Sequence, residues 1–196
     1  HVDNSFGNSF AFTESNVFGT HILLESCKKL MPQIRRFIHV STDEVYGESE
    51  VGENAKAMTE KSALAPTNPY AATKAAAEFM VKSYRTSFGL PTIITRGNNV
   101  YGAKQFPEKV IPKFIRRLLN GKACCIHGSG AHRRHYIHVA DVTAALLVIM
   151  HDGVVGETYN IGCEDEMTNL ELAKKIVQAV LPGAAWEDHI EYVRDR

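Results

Sequence analysis

Short β-rich runs and amphipathic helical stretches take turns along this chain, and that alternation restricts its fold more than any other feature. Apolar side chains recur at helical spacing over residues 12–31 (Val17, Ile22, Leu23, Leu24, Cys27, Leu30). The run Arg36-Phe37-Ile38-His39-Val40 is short and β-rich and ends at Ser41. Residues 46–68 hold Gly, Glu, Asn and Pro and read as a long loop, and long loops inside compact domains usually carry function. An Ala-rich helix follows over residues 69–88, with Gly89 as its stop. Strands are predicted at 90–95, 123–126 and 158–161. Helices are predicted at 108–120 (closed by Gly121), at 139–150 as a buried helix, and at 169–181 before Pro182-Gly183.

Helix and strand in turn predict an α/β fold, a Rossmann-like doubly wound parallel sheet with helices on both faces. Ligands of such sheets sit outside the carboxyl ends of the strands. Ser41-Thr42-Asp43-Glu44 follows one predicted strand and Arg96-Gly97-Asn98-Asn99 follows another, so both polar clusters are expected to line one crevice. No internal repeat or low-complexity segment interrupts the pattern.

Bulk properties narrow the function classes. The 22 Lys and Arg balance the 22 Asp and Glu, so no bulk field gathers nucleic acid or anionic membrane. No apolar run approaches the ~20 residues that span a bilayer. Cys27, Cys124, Cys125 and Cys163 form no CxxC pair and read as reduced thiols, which predicts a cytoplasmic protein. The nine histidines lack HxxxH or HExxH spacing, so no metal site is expected.

The chemistry gathers in two segments. Tyr70 and Lys74 lie four residues apart and share a helix face. A phenol is a poor base at neutral pH, and a neighbouring ammonium is expected to favour its phenolate. Such a phenolate can take a sugar hydroxyl's proton while hydride leaves the same carbon. YxxxK by itself arises often by chance; the Ser41-Thr42 pair upstream gives it weight. Asp43 and Glu44 are adjacent acids, commonly no more than a solvated turn. Two close carboxylates also divide labour, one staying protonated as acid while the other serves as base. That division suits β-elimination of water, with Glu44 taking a C–H proton and Asp43 protonating the leaving hydroxyl.

Taken together these motifs resemble the extended short-chain dehydrogenases/reductases, and within them the nucleoside-diphosphate-glucose 4,6-dehydratases. The resemblance runs through His1-Val2-Asp3-Asn4-Ser5, Asn16-Val17-Phe18-Gly19-Thr20, residues 41–47, Pro69-Tyr70-Ala71-Ala72-Thr73-Lys74, Asn98-Asn99-Val100-Tyr101-Gly102, Phe106-Pro107-Glu108-Lys109-Val110-Ile111-Pro112 and Tyr159-Asn160-Ile161-Gly162. Thr42-Asp43-Glu44 is its most specific element. It implies NAD as cofactor, Tyr70 as the base at the sugar C4 hydroxyl, Lys74 on the nicotinamide ribose and Thr42 bonded to the C4 oxygen. It also implies Glu44 and Asp43 as base and acid of water loss from C5 and C6. Ser15, Ser41 and Val100 are implied as cofactor contacts. Asn99, Arg134 and Asn169 are implied at the substrate pyrophosphate, Glu108 and Lys109 at its ribose and base, and His127 near the base. Asn16 resembles an active-site Asn of the wider group, and a homodimer built on the helices at 12–31 and 69–88 is implied.

No Gly-rich turn lies between a strand and a helix, and Gly128-Ser129-Gly130 stands in the wrong context. The expectation is a fragment whose phosphate-gripping half precedes His1. Residues 1–98 are expected to belong to the dinucleotide-binding domain. Residues 99–196 are expected to form mostly a smaller sugar-nucleotide lobe, with part of 131–162 returning to the main sheet. A 4-epimerase or decarboxylase on the same fold uses Tyr and Lys without both acids. A non-catalytic binding module is the alternative of another class.

Overall fold

The computed structural model describes residues 2–47, 57–164 and 166–194. His1 of the first motif and residues 48–56 of the long loop lie outside them. In chain order the elements are α1 (Val2–Gly7), α2 (Ser9–Phe12), α3 (Gly19–Lys29), β1 (Phe37–Thr42), α4 (Pro69–Phe88), β2 (Thr92–Gly97), β3 (Asn99–Tyr101), α5 (Val110–Leu119), β4 (Cys124–His127), β5 (Arg133–His138), α6 (Val139–Asp152), β6 (Thr158–Ile161), β7 (Glu166–Thr168), α7 (Asn169–Val180) and β8 (Ile190–Val193). A π-helical turn over Thr13–Phe18 joins α2 to α3, and 3₁₀ turns follow β1 (Asp43–Tyr46) and precede β8 (Trp186–His189). The chain divides into two compact units, residues 1–98 with 143–161, and residues 99–142 with 162–196.

The first unit is the predicted α/β arrangement. Its strands β1, β2 and β6 pair in that order, all parallel. The middle strand is covered on both faces, and Thr92 to Arg96 are all buried, which is why Ile93-Ile94 brings no alternation of polar and apolar residues. α4 owes its sharp limits to local chemistry. Asn68 accepts the Ala71 N–H at 2.8 Å, Pro69 occupies the first turn, and Gly89 closes the helix in the left-handed region at φ 72°. Ala71, Ala75 and Ala77 are buried, and their short side chains keep the helix close to its neighbours. Lower on the helix, Val81 and Tyr84 pack with Leu24, Leu90 and Ile94 into one apolar cluster.

Two expectations change here. β1 runs on through Thr42, so Ser41 and Thr42 belong to the strand rather than to the loop after it. The helix expected to be buried over 139–150 forms, but among its described residues only Ile149 is buried, and Leu147, Val148 and Met150 are exposed. Its apolar residues surround the whole helix, so a single packed face leaves the others in solvent.

In the second unit β3 pairs parallel with β5, β5 antiparallel with β7, and β4 parallel with β8. Its core joins Phe114 and Leu118 of α5 to Ile126 of β4 and to Leu172, Ile176 and Val177 of α7. α7 starts on a capping box: Thr168 accepts the Glu171 N–H, and the Glu171 carboxylate accepts the Thr168 N–H. Strands β3, β5, β7 and β8 were not predicted. They run from three to six residues, too short for a period to show, and β5 opens on Arg133-Arg134, which reads as a polar loop. No helix among the described residues is long and apolar enough to cross a membrane.

Candidate active site

The carboxyl ends of β1 and β2 bring the first unit's polar residues together. Thr42, the last residue of β1, turns the chain: its Oγ1 accepts the Glu44 N–H at 3.3 Å and donates to Asp43 Oδ1 at 3.2 Å. The acids that follow then meet different partners. Asn98, just beyond β2, donates its Nδ2 to Asp43 Oδ2 at 2.7 Å. Asn68, the cap of α4, donates its Nδ2 to Glu44 Oε2 at 3.1 Å. Each carboxylate is thus aimed by an amide from a distant part of the sequence.

Tyr70 lies in the first turn of α4, with its ring edge-on to Phe12 at a centroid distance of 6.1 Å. Burial holds its phenol above the ordinary value of 10.0, the Glu44 charge adds to that, a hydrogen bond with Thr42 opposes it, and Asp43 raises it further. Thr42, Asp43 and Glu44 are thus the side chains that act on the phenol. Lys74 sits one turn further along. Its Nζ donates to the Val40 carbonyl at 2.7 Å, and burial pulls it below the usual lysine range. The charges that act on the phenol are those of Glu44 and Asp43, which raise its pKa, while the Lys74 ammonium is held on the Val40 carbonyl.

The helix running from Ser9 supports this arrangement. Asn16, in the π turn, donates its Nδ2 to Thr73 Oγ1 at 3.0 Å, and Thr73 donates in turn to the Tyr70 carbonyl at 2.8 Å. π turns inside helices recur at functional sites, where the extra residue re-aims a side chain. Ser15 occupies the same turn and is exposed. Ser41 is buried on β1, and its hydroxyl has no hydrogen-bond partner among the described residues.

The remaining residues singled out by resemblance belong to the second unit. Asn99 and Val100 lie on β3, and Asn99 Nδ2 donates to the His135 carbonyl at 3.3 Å. Asn99 pairs with Tyr136, two residues from Arg134, so Asn99 and Arg134 share a sheet face. Arg134 is exposed, and Asn169 begins α7 with its N–H on the His132 carbonyl at 3.0 Å. Glu108 and Lys109 precede α5, Lys109 as its cap. His127 ends β4, its Nδ1 3.2 Å from the Arg194 carbonyl. Glu108, Lys109 and His127 therefore stand on other elements than Asn99 and Arg134.

Sequence reasoning gave no role to four residues that hydrogen-bond to the site or its supports, Asn68, Glu78, Tyr46 and Asn160, although Tyr46 and Asn160 lie within motifs of the resemblance. Asn68 carried a signal in its place before Pro69. The other three declare themselves only through contacts with residues far along the chain.

The first unit is a parallel α/β sheet with Thr and two acids after one strand and Tyr and Lys on the helix that follows, and the chain belongs to the NAD dependent epimerase/dehydratase family, whose model matches residues 1–162. Over its whole length it is 53% identical to a trifunctional UDP-glucose 4,6-dehydratase/UDP-4-keto-6-deoxy-D-glucose 3,5-epimerase/UDP-4-keto-L-rhamnose-reductase of Arabidopsis thaliana, of which it spans 29%. Over 184 residues, 90% of the chain, it is 52% identical to the dTDP-D-glucose 4,6-dehydratase of Dictyostelium discoideum, of which it spans 42%. Among solved structures, dTDP-glucose 4,6-dehydratase from Streptomyces venezuelae, crystallised with NAD, superposes on the whole chain with a TM-score of 0.91 at 39% identity, and the chain spans 58% of it.

Proposed function

We propose that the protein carrying this chain dehydrates a nucleoside-diphosphate-glucose, dTDP- or UDP-glucose, to the 4-keto-6-deoxy sugar, using NAD and releasing water. The observation that carries the reading is the meeting of two separately held carboxylates, Asp43 on Asn98 and Glu44 on Asn68, beside the Tyr70 phenol. A 4-epimerase or decarboxylase uses Tyr and Lys without both acids, whereas water elimination needs a base and an acid besides.

The residues present suit the cofactor. Ser41 offers a buried hydroxyl without a protein partner at the end of a parallel strand, and Lys74 offers a cation beside it. Ser15 and Val100 are further contacts carried over from the resemblance. Bound NAD would supply reversible hydride storage, so that the hydride lost from C4 can return to C6 after water has left and a proton has been restored to C5, giving the 4-keto-6-deoxy sugar with no net redox change. Tyr70 takes the proton of the sugar C4 hydroxyl while Thr42 donates to the same oxygen. Oxidation at C4 acidifies the C5 hydrogen, so Glu44 then removes the C5 proton, and Asp43 protonates the C6 hydroxyl as it leaves as water. Asn99, Arg134 and Asn169 are assigned to the pyrophosphate, where a guanidinium's planar fork matches phosphate oxygens. Glu108, Lys109 and His127 are assigned to the nucleoside.

The protein is further proposed to act in the cytoplasm as a homodimer. Phe18 of the π turn, Ile22 and Leu23 of α3 and Phe79 of α4 are large apolar side chains left exposed, more than isolated surface residues need.

The test is product analysis after incubation with NAD and either nucleotide glucose. A 4-keto-6-deoxy sugar, detected by its absorbance in alkali and by mass loss of one water, is expected. A sugar inverted at C4 with all its oxygens retained would overturn the reading. Glu44→Gln is expected to keep hydride removal from C4 and to lose water release.

A further inference from the structure

Arg96, expected from the sequence to open a polar cluster after a strand, lies within the middle strand β2 and is 2% exposed. Its guanidinium turns inward instead. Nε and Nη2 grip the Glu78 carboxylate in a two-pronged pair at 3.0 and 2.6 Å, and Glu78 is 0% exposed. Nη1 donates to the Tyr46 hydroxyl at 2.7 Å and to the Glu60 carbonyl at 3.3 Å, and the cation lies 4.7 Å from the Tyr46 ring centroid. The Tyr46 hydroxyl donates in turn to Asn160 Oδ1 on β6 at 2.7 Å. Asn160 also donates its N–H to Glu60 Oε1 at 2.9 Å and its Nδ2 to the Met58 carbonyl at 3.4 Å.

The two arms of this cation reach the two carriers of the chemistry. Tyr46 ends the turn that begins with Asp43 and Glu44. Glu78 lies four residues beyond Lys74 and eight beyond Tyr70, on the same helix face. We propose that Arg96 is a positioning residue for water elimination, setting the Asp43–Tyr46 turn against the helix that bears Tyr70. The inference rests on the dehydratase reading. A buried ion pair contributes little to stability that an apolar pair of similar volume would not. What an apolar pair cannot supply is direction: it has no donors to hold a hydroxyl, a carboxylate and a loop carbonyl in one fixed geometry.

That distinction gives the experiment. In the protein at its natural length, Arg96→Met with Glu78→Leu removes the charges together and fills the space. Tyr46→Phe is the milder companion, removing one hydroxyl from the network. Thermal midpoint, C4 hydride removal (read as reduced cofactor in a single turnover) and release of dehydrated sugar are measured for each. The expected result is a midpoint near wild type, hydride removal retained, and water loss slowed about 10- to 100-fold in the double variant, with a smaller loss in the same direction for Tyr46→Phe. Reduced cofactor then accumulates, a partition that a purely structural role would not produce. Variants that fold and slow both steps in proportion, or slow neither, overturn the proposal. Should the double variant fail to fold, Tyr46→Phe decides by the same partition. Wild-type protein that yields no dehydrated sugar would instead overturn the dehydratase reading, and this inference with it.

Discussion

Tyr70 is asked to be a base from a setting that favours its protonated form. Burial raises its pKa first, then the Glu44 charge, against the Thr42 hydrogen bond. Removing the charge lowers the cost of the phenolate, so Glu44→Gln should move the Tyr70 titration to lower pH. Ring-carbon NMR of labelled tyrosine reads this directly, and an unmoved or rising pKa would contradict the charge's role. Arg96 and Glu78 behave differently, because they are buried together. Glu78→Ala leaves the guanidinium without its counter-charge and should destabilise the fold by about 3–5 kcal/mol in denaturant unfolding. A loss of under about 1 kcal/mol would mean that the pair is far better solvated than the structure shows, as exposed pairs are.

Among the elements, α4 joins local and distant requirements through a single residue. Asn68 uses Oδ1 to cap the helix and Nδ2 to hold Glu44. Asn68→Ala should therefore cost about 1 kcal/mol of stability and also slow water loss. Asn68→Asp keeps the cap but sets a second carboxylate against Glu44, so stability should be largely kept while water loss falls. Equal turnover in Asn68→Asp and wild type would show that Glu44 needs no aiming. The start of α4 was legible beforehand, since Asn-Pro and a terminal Gly mark its ends within the sequence itself. The burial of α6 was not, because a run that is apolar all round says nothing about which of its faces finds a partner. Ser41 and Thr42 were read one step too late, after the strand rather than in it, since pairing with Arg96 and Gly97 of β2 is what extends β1.

For the whole molecule, acid should weaken the fold through His39. This ring is buried on β1 with its Nε2 unpartnered among the described residues, and burial, helped by Lys74 and opposed by Glu78, lowers its pKa from 6.5 to about 4. Above pH 6.5 both folded and unfolded chains carry it neutral; as pH falls toward 4 the unfolded chain takes up the proton first, and stability is lost. His39→Leu should flatten that part of the stability profile in urea titrations, and an unchanged slope would count against the buried neutral ring. The proposed homodimer predicts that Ile22→Glu with Phe79→Glu gives a monomer by light scattering. The sequence by itself determined the alternation of strand and helix, the Thr42-Asp43-Glu44 turn and the shared face of Tyr70 and Lys74, because each depends on residues within a few positions of one another. Tertiary structure alone decided that Asn98 meets Asp43, that Asn68 meets Glu44, that Lys74 turns to Val40, and that Arg96 leaves the polar cluster for Glu78. Those partners stand up to 55 residues apart along the chain, and no local pattern records which distant group a folded backbone will bring within reach of a hydrogen bond.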